Sequence, residues 1–559
     1  MINRRQFVAT GVTALVAGRP WLRGGASADL DIAYINGRIW TGVAGAARQT
    51  AFGTIGDRIT AVGDVAQIRA LSGRRTQIID LHGAFVMPGF VDNHTHFLRA
   101  SFMLSMPNLR TAKTKEEFVQ RVATAARALP KGAWLEGGNW DESLWSGALP
   151  MRDWIDAVTP ETPVAVVRLD QHMLVLNSLA LKLAGIDRNT PDPEGGVIGR
   201  YENGEPNGII KDRAKEIVQR AIPAHTDADN DRAMKAGIAH ALSKGVTQAH
   251  ITELDWVTHD SLRRLRSVDE TNMRFYSFVP IETWEKLADL VKREGRGDDW
   301  VRWGGVKGLV DGSLGSRTAL LFEPYANDPK NTGIHRTPPE KLHAMVEGAD
   351  AAKLQVAVHA IGDAANDLIL TIYDEVARKN GVRDRRFRVE HAQHMRLEDI
   401  PRFARQNVIA SMQPYHAIDD GRWAATPLGQ KRLAGSWAFR SFLDAKVRVT
   451  FGSDWPVAPI DPLPGVEAAV LRRTIDGANP DGWIPAQRIK VEEALTAYTA
   501  TNVFAGFQDD RLGRIAPGML ADVVVLDTDL VTSPADRISH AKVLRTIVNG
   551  ASRFVDSAS

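Results

Sequence analysis

Val86-Met-Pro-Gly-Phe-Val-Asp-Asn-His94-Thr-His96-Phe97 is an apolar run that closes on two imidazoles spaced i and i+2. On an extended strand that spacing points both rings to one face, so they can grip a single cation. By itself a His-x-His pair is a weak signal. Its force comes from four more donors downstream, each at the end of another strand-like run.

The first is Lys307, in Val301-Arg-Trp-Gly-Gly-Val-Lys307-Gly-Leu-Val. His359 ends Leu354-Gln-Val-Ala-Val-His359, and His391 ends Phe387-Arg-Val-Glu-His391. Asp454 ends Val447-Arg-Val-Thr-Phe-Gly-Ser-Asp454. Strand, donor, loop and helix recur along the chain, which predicts an α/β fold. In a (β/α)8 TIM-like barrel the C-terminal ends of all strands meet at one mouth, so donors remote in sequence converge.

The donor set is chemically coherent. Neutral imidazoles and a carboxylate suit divalent first-row cations, zinc above all, one ion or two. A lysine ammonium repels metal. Lys307 joins the set only as a carbamate formed with carbon dioxide, whose two oxygens can bridge a pair of ions. The alternative is an ordinary strand-end lysine reaching solvent. His359 and His391 have the alternative of hydrogen-bonded rim histidines, and Asp454 that of a turn cap.

Pro88-Gly-Phe-Val-Asp-Asn-His-Thr-His96, the lone strand lysine, Val358-His-Ala-Ile-Gly-Asp363, Glu390-His-Ala-Gln393 and Phe451-Gly-Ser-Asp-Trp-Pro-Val457 together resemble the amidohydrolase superfamily. Asp311-Gly-Ser-Leu-Gly-Ser-Arg317, Asp170-Gln-His172 and Gly513-Arg-Ile-Ala-Pro-Gly-Met-Leu-Ala-Asp522 resemble its family 3 branch, which includes N-substituted formamide deformylases. The resemblance implies that His94 and His96 bind the more buried ion. It implies that carbamylated Lys307 bridges, that His359 and His391 bind the second ion, and that Asp454 is both ligand and proton shuttle. A homodimer is the assembly it implies.

The expected chemistry is hydrolysis of a non-peptide C–N bond, in an N-substituted amide or formamide. Metal coordination brings the pKa of water to around 7, and the resulting hydroxide attacks the carbonyl. Asp454 accepts the proton and passes it to the leaving nitrogen, while the oxyanion is stabilised electrostatically. A deaminase or cyclic-amide hydrolase on the same scaffold is the alternative enzyme, and an inactive binding protein the alternative outside enzymology.

Substrate contacts are expected from Arg317, His172, Asp170, Trp140, Trp145, Phe97 and Trp455. Arg317 has the alternative of a structural salt bridge, and Asp170 and His172 that of hydrogen bonds to a ligating histidine. The aromatics have the alternative of packing.

With 559 residues and 44% apolar content the chain can bury a large core and exceeds one ordinary domain. Its 69 Lys and Arg against 67 Asp and Glu leave a net charge of +2, which gives no reason to expect a nucleic-acid or polyanion partner. The absence of cysteine excludes disulfides, thiolate ligands, cysteine nucleophiles and a lipoprotein anchor.

Residues 1–28 read as a leader. Arg4-Arg5-Gln-Phe7, an apolar stretch from Val8 to Ala17 and then Ala26-Ser-Ala28 resemble a twin-arginine signal. The expectation is export by the twin-arginine machinery to the periplasm, with no stable membrane anchor once the signal is removed. Short strands on both sides of the chain predict a discontinuous β-sandwich from 29–86 and 508–559 beside a barrel at 87–507. Helices are expected over 115–129, 227–244, 339–353, 366–380 and 491–501. The segment at about 130–225, rich in Gly, Pro, Trp and Asn, is expected to be an insertion folding over the barrel mouth.

Overall fold

The computed structural model describes residues 29–557, except 105, 146, 169–172, 194, 195, 213 and 316. The leader, Asp170 and His172 lie outside the described residues.

Eight parallel strands form the central sheet. In chain order they are β1 (Phe90–Thr95), β2 (Val246–Thr252), β3 (Arg274–Pro280), β4 (Val301–Leu309), β5 (Gln355–Ala360), β6 (Arg388–His391), β7 (Ile409–Met412) and β8 (Val449–Phe451). Each pairs with the next in sequence, giving the TIM-like arrangement expected of repeating strand–helix units.

The seam between β8 and β1 is closed in an unusual way. Asn502 is fully buried, and its amide nitrogen donates to the carbonyls of Val91 at 2.5 Å and Phe451 at 2.7 Å. Its side-chain oxygen accepts from the Phe451 amide at 3.2 Å. One side chain thus does the work of missing ladder bonds, which buried peptide groups require. Past the strand ends the chains pair directly, with Asp454 N donating to His94 O and His96 N to Trp455 O, both at 2.8 Å.

This seam also corrects the expected helix at 491–501. Two helices occur instead, Val491–Ala497 and Ala500–Ala505, broken at Thr499, whose hydroxyl caps back onto Leu495 O. The break re-aims the chain so that Asn502 reaches the seam, a tertiary demand that helical periodicity does not carry. The other helices follow their patterns closely. Lys115–Ala128, for example, starts on Thr114, which accepts from the Glu117 amide, and buries Phe118, Val122 and Ala126.

Both ends of the chain contribute strands outside the barrel. One sheet has the order Arg58–Gly63, Ala51–Ile55, Ile32–Ile35, Gln77–Asp80. A second has the order Arg38–Ile39, Phe85–Pro88, Val523–Leu526, Val543–Val548, Ala551–Val555. Tyr34, Phe52, Ile59, Val86, Val523 and Ile547, drawn from both sheets, share one apolar cluster. Buried Arg274 at the start of β3 ties this part to the barrel through Asp522, with bonds of 2.6 and 3.0 Å.

The segment between β1 and β2 is more regular than its composition indicated. It forms a five-stranded mixed sheet ordered Gly196–Arg200, Pro206–Asp212, Met173–Leu176, Val164–Arg168, Leu135–Trp140. One strand, Leu135–Trp140, carries Gly137 and Gly138 with positive φ, and Met106 and Leu109 pack where side chains at those two positions would lie. Such interruptions erase the alternation that marks a strand in sequence.

Candidate active site

All six sequence-predicted donors lie at the C-terminal ends of barrel strands or in the loops just after them. His94 and Lys307 point inward from β1 and β4, and His359 and His391 from β5 and β6. His96 and Asp454 follow β1 and β8 by one and three residues. The structure brings them together. His94 Nε2 is 3.3 Å from Lys307 Nζ and 3.6 Å from Asp454 Oδ1. His96 Nε2 is 3.2 Å from the same Asp454 oxygen. The His391 ring lies 4.8 Å from that of His94 and 4.5 Å from that of His359.

The ring nitrogens facing away from the cluster are all engaged. His94 Nδ1 meets Glu390 Oε2 at 2.5 Å, and His96 Nδ1 meets Glu253 Oε2 at 3.2 Å. His391 Nδ1 meets Gln413 Oε1 at 2.8 Å. His359 reverses the pattern, with Nε2 donating to Gly312 O at 2.9 Å. An acceptor on one nitrogen fixes the proton there and leaves the other lone pair for a cation. The tautomers therefore aim Nε2 of His94, His96 and His391, and Nδ1 of His359, into one space.

Burial and charge favour the same state. Burial lowers His94 to about 4, helped by the neighbouring Lys307 charge. Burial likewise lowers His359 to about 3 and His391 well below the usual range. These rings are neutral, as metal ligation requires. Burial also lowers Lys307 to about 8, which brings the free amine within reach near neutrality. His96 behaves differently: burial opposes its charge, but the Asp454 and Glu253 carboxylates, which accept from its ring nitrogens, outweigh that and lift it to about 9. In the protein alone, the carboxylates draw a proton into the position where a cation would sit.

Asp454 Oδ1 is buried and faces His96 Nε2 at 3.2 Å and His94 Nε2 at 3.6 Å. Burial alone would raise the carboxyl, yet His96, His94 and His391 hold it well below the usual carboxylate range. A buried anionic oxygen facing several imidazole nitrogens fits a divalent cation, and without one the proton on His96 compensates it. His94, His96 and Asp454 form one group close enough to share an ion, and His391, His416 and Asp454 form another. The backbone at these positions is left-handed, with φ of 73° at His391 and 58° at Asp454, conformations that persist where the surroundings enforce them.

Several contributors were not singled out in sequence. Glu253 directly follows β2, and Glu390 precedes His391 inside a motif already quoted; both are strand-end carboxylates and were legible as such. His416, on the helix Pro414–Asp420 after β7, carries a buried Nε2 without a partner. Asp311 accepts from the amides of Leu320, Ile361 and Gly362 and so braces the loop beside His359.

The expected substrate contacts fare differently. Trp140 is wholly buried in the core of the five-stranded sheet between β1 and β2, the satellite sheet, with its indole N–H donating to Val166 O, so it packs and does not line the mouth. Trp145 lies in the same cluster. Phe97 is also wholly buried, edge-on to Phe275 and Trp455 at 5.2 and 5.3 Å. Trp455 stacks on His240 at 5.8 Å, and Arg317 donates to the carbonyls of Leu314 and Gly315. A cavity of about 1070 Å³ instead opens between the satellite sheet and the mouth. It is lined by His96 and Glu253 from the barrel, Leu98 and Met103 from the helix Phe97–Met103 that follows β1, and Glu136 and Leu174 from the sheet.

The amidohydrolase family model matches residues 77–554. The chain belongs to the amidohydrolase family. This amidohydrolase is similar to Protein LONG AFTER FAR-RED 3 of Arabidopsis thaliana, 38% identical over 93% of this chain and 91% of that one. It is 27% identical to an N-substituted formamide deformylase of Arthrobacter pascens, over 89% of this chain and 94% of that one. A crystal structure of an uncharacterized metal-dependent hydrolase from Pyrococcus furiosus superimposes with a TM-score of 0.75 at 29% identity, covering 90% of this chain and all of that one.

Proposed function

We propose that this amidohydrolase cleaves a non-peptide C–N bond in an N-substituted amide or formamide, using divalent cations held at the barrel mouth. The observation that carries this is the buried Asp454 Oδ1, faced by Nε2 of His94 at 3.6 Å and of His96 at 3.2 Å. Likeness to a formamide deformylase supports the substrate class.

His94, His96 and Asp454 would hold one cation, and His359 and His391 a second. Lys307, carbamylated, would bridge them. Bound there, zinc or a similar ion polarises the substrate carbonyl and lowers the pKa of water to about 7. The chain's own residues do the rest. Glu390 and Glu253 keep the rings of His94 and His96 turned inward. Asp454, its carboxylate aimed into the cluster, takes the proton from the attacking water and returns it to the departing nitrogen. The satellite sheet walls one side of the cavity and narrows the access of bulk water. Export through a twin-arginine leader at residues 1–28 is part of the same proposal, and the N-terminus of protein from the periplasmic fraction tests it.

The decisive experiment is a screen of metal-loaded protein on N-substituted formamides, N-acyl amino acids, cyclic amides and aminopurines. The expected result is release of amine from the first two classes. Exclusive ring deamination overturns the proposal.

A further inference from the structure

The cavity that leads to the metal-binding candidates contains a carboxylate the proposed reaction does not use. Glu136 stands on the satellite strand Leu135–Trp140 and lines both this cavity and a second one, of about 440 Å³, behind it. It is half-buried, and among the described residues it has neither a hydrogen bond nor an ion pair. Of the four other acids lining this cavity three have partners, the exposed Asp260 being the fourth, and Arg99, Lys215 and Arg264 line it as well. Glu253 holds His96, Asp227 pairs with Arg264 at 3.2 Å, and an Asp255 oxygen accepts from the Val257 amide. Around Glu136 the shared wall is largely apolar, formed by Phe102, Met106, Ile222 and His225, whose ring stacks on Phe102 at 3.9 Å.

A carboxylate half-withdrawn from water and left without a donor loses hydration for no return within the protein. Burial raises its pKa accordingly, and His225 on the same wall offsets this only in part. The arrangement becomes favourable when a ligand brings the missing cation. An apolar wall leading to that carboxylate selects for a cation on a hydrocarbon stem, not for a small hydrated ion.

We infer that Glu136 is a specificity residue that anchors a terminal ammonium on the substrate's N-substituent, so that the preferred substrates are monoacylated diamines or similar aminoalkyl amides. This rests on the reading of the barrel mouth as the site of C–N hydrolysis. The cavity, at about 1070 Å³, has room for a chain spanning from His96 to the satellite sheet.

The test compares two isosteric pairs on metal-loaded, full-length protein. N-(6-aminohexyl)formamide and N-heptylformamide report turnover. The matching N-(6-aminohexyl) and N-heptyl methanesulfonamides, which are not hydrolysed, report binding by calorimetry. A charge-assisted contact predicts that the wild type binds the aminohexyl sulfonamide about tenfold more tightly than the heptyl one, and that Glu136→Gln removes most of this difference. The kcat/KM ratio of the two formamides should move in parallel, with metal content unchanged. If the binding preference holds while neither formamide is hydrolysed, the cation anchor stands and the proposed reaction falls. If the heptyl compounds bind as well or better in the wild type, if neither sulfonamide binds, or if Glu136→Gln weakens both equally, the anchor is overturned even when formamides are turned over. The wild-type comparison decides without any variant.

Discussion

His94 Nδ1 lies 2.5 Å from Glu390 Oε2, and both side chains are completely buried. Glu390 does not stand alone: Arg388 holds it from behind at 2.7 and 3.0 Å, and Ser411 donates to it at 2.7 Å. Arg388 also reaches His250 at 3.0 Å and the Asn93 carbonyl at 2.6 Å. A charged column thus runs from the barrel interior to His94, and its carboxylate is held well below the usual range, against burial, by Arg388 and His94. In the proposed reaction it would set the orientation and basicity of this imidazole.

Glu390→Gln keeps the shape of that column and removes its charge. Metal affinity, measured by chelator competition, should fall by roughly 10- to 100-fold. Thermal stability should fall too, since Arg388 is left with an uncompensated buried charge. Unchanged metal affinity would show that the column serves packing alone.

Lys307 lies 3.3 Å from His94 Nε2 and can serve cations only after carboxylation. Protein prepared with bicarbonate should carry a labile mass increment of one carbon dioxide, and Lys307→Ala should lose it together with most bound metal. Short carboxylic acids should restore part of the variant's activity by occupying the vacated space. Full metal content in Lys307→Ala contradicts the bridging role.

The three segments that are easiest to read in this sequence, around His94, His359 and Asp454, are those where an apolar strand stops at a donor. Strand ends on a barrel are geometric markers, because the fold itself brings them together. Glu253 and Glu390 lie at equally readable ends, but their role depends on which ring nitrogen each faces, and that is set by packing. His416 sits on a helix after its strand, where the marker no longer applies. Trp140 and Phe97 show the opposite failure: aromatic bulk is visible in sequence, whereas the direction it faces is not. The satellite sheet stayed hidden because glycines break its alternation, and the split at Thr499 because Asn502 answers to the barrel seam.

Asp454→Asn should leave folding intact and lower kcat by on the order of 10²- to 10⁴-fold, since the proton acceptor is lost. KM should change far less. A variant that retains kcat and loses only KM places Asp454 in substrate binding instead.

His259 gives a stability prediction away from the cation site. It is buried between Trp256 and Trp303, and burial, reinforced by Arg263 and Lys286, lowers its pKa from 6.5 to about 3. Between those values the unfolded chain binds more protons than the folded one, so stability is fully present above about 6.5 and lost as pH falls toward 3. His259→Phe should flatten this part of the stability profile relative to wild type, in urea unfolding at several pH values. Because both proteins shed metal alike in acid, the difference between them isolates the histidine. Parallel profiles would contradict the assignment.

The central claim is that the barrel mouth gathers cations, and anomalous diffraction at the zinc edge from zinc-loaded crystals tests it most directly. The account predicts density about 2.0–2.2 Å from Nε2 of His94 and His96 and an Asp454 oxygen, with a second peak at His359 and His391. Zinc bound elsewhere, with these side chains left uncoordinated, would contradict it.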